Sequence, residues 1–155
     1  MLLSVVIPLY NKERDILRTL QSVFAQTFTD YELIVVDDGS TDASVRIVVE
    51  AAKTHPLKLI QKSNGGVCSA RNRGIRAAQG EYIALLDADD TWDKDYLQEQ
   101  VKMINDFPKA AMWGINYAEM HGNRLIRRLA TGLPDGYRGY VDHYFSMHVY
   151  AIARI

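Results

Sequence analysis

Residues 31–42 read YELIVVDDGSTD, and the change of character within this stretch decides the fold. Its first half is apolar with no regular polar alternation, the pattern of a strand covered on both faces, as in a parallel sheet. Asp37-Asp38-Gly39-Ser40-Thr41-Asp42 then reads as a turn, with Gly39 as the turn residue and Ser40 or Thr41 as the N-cap of a helix. Beyond it Val45, Val48, Val49 and Ala52 recur at i, i+3, i+4 and i+7, one face of that helix.

The same unit recurs on both sides of this stretch. Residues 2–8 (LLSVVIP) are a continuous apolar run, and Asn11 is placed to cap a helix carrying Ile16, Leu17, Leu20, Val23 and Phe24. Residues 57–60 make a weaker third strand. Gly65-Gly66 opens a helix over 67–79 that Gly80 ends, and residues 82–86 (YIALL) form a fourth strand running into Asp87-Ala88-Asp89-Asp90. Leu97, Val101 and Ile104 mark a further helix, closed before Pro108. Successive β-α units with non-alternating strands predict an α/β fold, a doubly wound and mostly parallel sheet with helices on both faces. A fifth strand over 110–117, a turn at His121-Gly122-Asn123 and a returning strand over 124–129 predict a small hairpin. Residues 131–139 read as loop, and 140–155 fit no single element.

The chain has 155 residues, 48% hydrophobic and 24% charged, the mix of one soluble globular domain with one core. Eighteen basic against nineteen acidic residues leave a charge of −1, so no diffuse cationic field exists to drive nucleic-acid binding. Any phosphate must be held locally. Cys68 is the single thiol, which excludes an intramolecular disulfide and fits a reducing, cytoplasmic setting. The apolar stretches at 2–10 and 110–117 are too short to span a bilayer, and the first lacks a basic leader. A soluble or at most peripheral protein is expected.

In open parallel sheets ligands bind at the carboxyl ends of the strands, near the point where strand order reverses. Pro8, Tyr10 and Asn11 follow the first strand, Asp37 and Asp38 the second, and Asp87, Asp89 and Asp90 the fourth. Asp87 and Asp89 are spaced i, i+2, which on extended backbone puts both carboxylates on one side. Such a pair suits Mn2+ or Mg2+ shared with substrate phosphates; the alternative is that each Asp caps a helix or makes an Asx turn. Asp38 is free to accept an N–H from a ligand such as the imide of uracil. Gly65-Gly66 and Arg71 or Arg73 suit an anion, or the arginines form a solvated helix face. Cys68 reads as a packing residue. Trp92 reads as a staple for the following helix rather than a sugar platform. The four histidines show no metal-ligand spacing.

Several ordered motifs then carry a resemblance. Val5-Val6-Ile7-Pro8-Leu9-Tyr10-Asn11, Gln26-Thr27-Phe28, the 32–42 segment, Ala70-Arg71-Asn72-Arg73-Gly74 and Gly80-Glu81-Tyr82-Ile83, running into Asp87-Ala88-Asp89-Asp90, resemble the family 2 glycosyltransferases over about residues 2–118. That family has the GT-A fold and inverts configuration at the sugar. The resemblance implies a nucleotide-diphosphate sugar donor, most often a UDP-sugar, and a saccharide or lipid-linked acceptor in polysaccharide or cell-wall synthesis. It implies that Pro8, Tyr10 and Asp38 line the base pocket with Asp37 in support, and that Gly66 and Arg71 lie near the nucleotide. Asp87 would bind the ribose region, and Asp89 would coordinate Mn2+ or Mg2+ bridging the phosphates. The metal would offset charge on the leaving diphosphate.

An inverting transfer needs a general base, which the family supplies from an acidic motif well downstream of the metal-binding Asp. Beyond Asp106 the carboxylates are Glu119, Asp135 and Asp142, none in that context. The expectation is one incomplete domain over 1–155, with a donor-binding half over about 2–118, the start of an acceptor half over 119–155, and the base beyond Ile155. Such an edge predicts homo-oligomers, and the acceptor class predicts peripheral association with the inner face of a membrane. A competing reading is a nucleotide and metal binder that transfers nothing. A haloacid-dehalogenase-type phosphotransferase fits Asp87-Ala88-Asp89-Asp90-Thr91 but has its nucleophile near the start of the fold. A Rossmann dehydrogenase would need glycines where Pro8-Leu9-Tyr10-Asn11 stands.

Overall fold

The computed structural model describes residues 3–110, 112–115, 117–121, 124–128 and 150–154. Strands and helices alternate through β1 (Leu3–Leu9), α1 (Ile16–Phe24), β2 (Tyr31–Asp37), α2 (Ser44–Ala51), β3 (Lys58–Gln61), α3 (Val67–Ala77), β4 (Tyr82–Leu85) and α4 (Tyr96–Asp106). They are followed by β5 (Met112–Ile115), β6 (Tyr117–His121), β7 (Arg124–Arg128) and β8 (Tyr150–Arg154). One sheet has six strands in the order β3-β2-β1-β4-β8-β5; β6 and β7 pair separately as the expected hairpin. The first four strands are parallel, and β8 enters antiparallel to both β4 and β5. The stretch 140–155, which fits no single element by its sequence, therefore contributes a strand inside the sheet. Residues 110–117 divide between β5 and β6 instead of forming one strand, because the chain changes sheets there.

All seven residues of β1 are buried, each large aliphatic side chain contributing about 1.5–3 kcal/mol. Val5, Ile7 and Leu9 point to the face covered by Ile16, Leu20 and Val23 of α1 and by Leu97 and Ile104 of α4. Val6 points to the other face, with Ile34, Val36, Ile83 and Ala70 of α3. The close approach of α3 depends on Gly74, where an added Cβ would run into Val6 Cγ1 and press on Val36 Cγ2.

Strand order reverses between β1 and β4, and there the two strands part. Their pairing covers Leu3–Val6 of β1 and ends with the Leu86 amide donating to the Val6 carbonyl. Peptide groups of the even residues of β1 face β4, so the missing N–H of Pro8 falls where β4 no longer pairs. A proline in a central strand is thereby tolerated, and the two strands separate toward their carboxyl ends.

The helix ends correct three expectations. Asn11 does not cap α1, which starts five residues later behind Asp15. Ser40 and Thr41 do not cap α2: Ala43 is its N-cap residue, and Asp42 Oδ1 accepts from the Ser44 amide at 2.9 Å. Helix α3 ends at Ala77, before Gly80, because residue 78 turns extended and the chain is tied to the sheet. There the Gln79 amide donates to Glu32 Oε1 at 2.5 Å, the Gly80 amide to Ser4 Oγ at 2.9 Å, and Ser4 Oγ to Glu32 Oε1 at 2.6 Å.

Candidate functional site

The loops after β1 and β2 are stitched together before either reaches a helix. Asn11 holds the left-handed conformation, φ 49°, that asparagine tolerates better than most residues. Its amide donates to Ser40 Oγ at 3.0 Å and its Oδ1 accepts from the Thr41 amide at 2.8 Å. The Lys12 amide donates to Ser44 Oγ at 2.8 Å, and the Glu13 amide to Asp42 Oδ2 at 3.0 Å. Burial raises the Asp42 carboxyl, and the hydrogen bonds from Ser44 and the Glu13 amide outweigh it, leaving the group below the ordinary aspartate value. Tyr10, at the tip, is 48% exposed, while Pro8 is buried beside Val36.

The two aspartates after β2 do different work. Asp37 is 2% exposed and its Oδ1 accepts from the Ser40 amide at 3.1 Å, so it forms the turn at Gly39 and faces inward. The sequence predicts a free carboxylate at Asp38, and the structure gives it several partners. Its oxygens accept from the Gly65 amide at 3.0 and 3.2 Å, from the Gly66 amide at 2.7 Å, and from the Lys62 ammonium. The anion that the start of α3 attracts is thus the protein's own carboxylate. Burial pushes Asp38 up, but the Lys62, Gly65 and Gly66 hydrogen bonds prevail and hold it below the ordinary value. A carboxylate offers about four acceptor positions, and with the Gly65 amide spanning both oxygens these donors make four contacts with an aspartate that is 2% exposed.

Gly66 has φ +86°, a conformation that favours glycine, and a Cβ there would meet nothing within 4 Å. Its backbone is therefore open to approach. Arg71, five residues into α3, reaches the end of β4, where its Nη2 donates to Asp87 Oδ1 at 2.5 Å. Arg73 is exposed, a solvated helix face. Asp89 receives the Lys12 ammonium at Oδ2, 2.6 Å away, and this hydrogen bond raises the Lys12 pKa against a smaller opposing effect of burial. Arg71, Asp87 and Asp89 thus meet at the end of β4, while Asp38, as buried as Asp37, is held by the amides of Gly65 and Gly66 at the start of α3.

Sequence reasoning missed what holds the acidic loop. Thr19 Oγ1 donates to the Ala88 carbonyl at 2.9 Å and Arg18 Nη2 to the Asp89 carbonyl at 3.1 Å. The Trp92 amide donates to Ser22 Oγ at 3.2 Å. Gln26 Nε2 donates to the Asp93 carbonyl at 2.8 Å, and Gln26 Oε1 accepts from the Leu97 amide at 2.9 Å. The signal was present: Thr19 is a polar residue among the apolar positions of α1, Gln26 lies two residues past its end, and both are buried. Trp92 is buried and stacked on Tyr96, ring centroids 4.3 Å apart, a staple for α4 as expected. Cys68 is exposed, a correction to its reading as a packing residue.

The family model described as Glycosyl transferase family 2 matches residues 4–150. The chain belongs to glycosyltransferase family 2. Among relatives of this family 2 chain, the uncharacterized glycosyltransferase YibD of Escherichia coli is 47% identical over 89 residues, 57% of this chain and 26% of YibD. Among solved structures, S. aureus TarS 1-349 in complex with UDP superposes with a TM-score of 0.67 at 32% identity, over 72% of this chain and 34% of that one. A mannosyltransferase from Pyrobaculum calidifontis in complex with GDP-Man and Mn2+ also gives 0.67 at 32% identity, over 71% of this chain and 34% of that one. The α/β sheet is that of the GT-A transferases. The family 2 chain spans about a quarter of the length of YibD and a third of the matched TarS chain. Among the described residues, no helix is long and apolar enough to cross a membrane.

Proposed function

We propose that this chain carries the donor site of an inverting glycosyltransferase that uses a nucleoside-diphosphate sugar, with residues 2–118 as the donor half and 119–155 as the start of the acceptor half. The observation that carries the reading is the meeting of the loops after β1, β2 and β4 where β1 and β4 part, with Asn11 and Lys12 joined to Ser40, Ser44 and Asp89, and Arg71 to Asp87. The base lies against Pro8 and Tyr10, with its edge toward Asp38. The donor we assign is a UDP-sugar, by analogy with the similar TarS chain that is in complex with UDP. Asp37 supports the loop from within, Gly66 gives the nucleotide access to backbone, and Asp87 takes the ribose region. Arg71, released from Asp87, is available to the phosphates.

Asp89 would hold Mn2+ or Mg2+. The donor set fits: a half-exposed carboxylate is a hard oxygen ligand, and it already binds a cation, the Lys12 ammonium. Among the described residues no group of three His, Cys, Asp or Glu could hold a metal alone, which suits an ion that takes its remaining ligands from substrate phosphates and water. When bound, the ion supplies Lewis-acid neutralisation of the charge that grows on the leaving diphosphate. The acceptor is a saccharide or lipid-linked glycan, and the reading assigns no general base to a residue of this chain.

Thermal unfolding with UDP and Mn2+ tests the reading. The expected result is a higher Tm that Asp89→Ala abolishes, with a screen of UDP-sugars then separating transfer from binding alone. No shift with any nucleoside diphosphate would overturn it.

A further inference from the structure

Two of the acidic residues that follow β4, Asp87 and Asp89, each carry a cation supplied by the protein itself. Arg71 holds Asp87, and Lys12 holds Asp89. The backbone of Lys12 is fixed: its amide donates to Ser44 Oγ at 2.8 Å, and its carbonyl accepts from the amides of Asp15 and Ile16 at 3.0 and 2.9 Å. Its ammonium, by contrast, ends a long flexible stem. The pair with Asp89 is open to water, the two side chains being 39% and 44% exposed. Ion pairs of such exposure are weak and exchange readily. A divalent cation that approaches Asp89 must therefore displace a positive charge already resting on the carboxylate.

We propose that Lys12 is a tethered counter-ion of Asp89: it occupies the carboxylate while the site is empty and moves to the diphosphate oxygens when cation and nucleotide arrive together. This rests on the reading of Asp89 as the metal-binding residue of a donor site. A free divalent ion gains one carboxylate and strands an ammonium beside it. An ion carrying a nucleoside diphosphate brings the anion that gives the displaced ammonium a new partner. Lys12 thus opposes the metal alone and favours the metal–nucleotide complex, so it couples the two ligands.

The test compares Lys12→Met with the wild-type chain, reading Mn2+ alone by electron paramagnetic resonance and UDP in saturating Mn2+ by calorimetry. Loss of the ion pair and of one nearby positive charge should tighten Mn2+ alone by roughly threefold to tenfold. The same substitution should weaken UDP in the presence of Mn2+ by a comparable factor, and Lys12→Arg should restore both toward wild type. Opposite signs are the signature, because a structural defect would weaken both. Mn2+ binding that is unchanged or weaker in Lys12→Met overturns the proposal, as does UDP binding that is not weakened. Should the wild-type chain bind no UDP with Mn2+, the donor-site reading itself falls; wild-type binding without the opposite-sign pattern removes Lys12 alone.

Discussion

Asp38 closes the Gly65-Gly66 turn with both of its oxygens, so its replacement by asparagine has a definite cost. The amide group would set a donor against N–H donors and leave one unpaired, about 1–3 kcal/mol of stability lost, read as a lower urea midpoint. The pH dependence has a matching sign. Asp38 and Asp42 both have folded-state pKa values below the ordinary one, so the unfolded chain binds more protons at acid pH. Their stabilisation is complete above the unfolded value of about 3.9 and is lost as pH falls through the lower folded values. Asp38→Asn should flatten that acid limb. At this scale the sequence showed which residue types meet at the rim, but not their partners. Lys62 lies 24 residues from Asp38 and Lys12 lies 77 from Asp89, distances over which local patterning carries no information. For the same reason it is Asp42, and not Ser40, that accepts from the first amide of α2: the Ser40 hydroxyl is taken by Asn11 from another loop.

Helix α1 and the turn that follows it act as a clamp on the acidic loop. Thr19, Ser22 and Gln26 hold backbone groups from Ala88 to Leu97, so Asp89 is placed by a rigid element although it sits on a loop. Gln26→Ala removes hydrogen bonds at both ends of one amide and should cost about 2–3 kcal/mol. Amide exchange of Leu97, whose N–H loses its acceptor, should accelerate more than that of the β1 core. If Leu97 stays as protected as before, the clamp is not what orders the loop. The alternation of strand and helix was legible because buried parallel strands are continuous apolar runs and their helices keep a 3.6 period. Strand β8 was not, because its place in the sheet is set by pairing with β4 and β5, more than 30 residues upstream, and its own segment has no polar punctuation.

At the scale of the molecule, the charge of −1 includes three ion pairs at the carboxyl ends of the strands, Lys12 with Asp89, Lys62 with Asp38 and Arg71 with Asp87. Strand order reverses where β1 and β4 separate, and that topology brings residues from three loops together. The proposed donor site requires Mn2+ and a nucleoside diphosphate to bind together where these loops meet. At 17.6 kDa the chain is suited to amide-resolved NMR, in which bound Mn2+ broadens signals around it. The most direct measurement is that broadening with UDP present. The account predicts loss of the amide signals of Tyr10–Lys12 and Asp87–Asp90, dependent on UDP and abolished by Asp89→Asn. Broadening centred elsewhere on the fold, or persisting unchanged in Asp89→Asn, would contradict it.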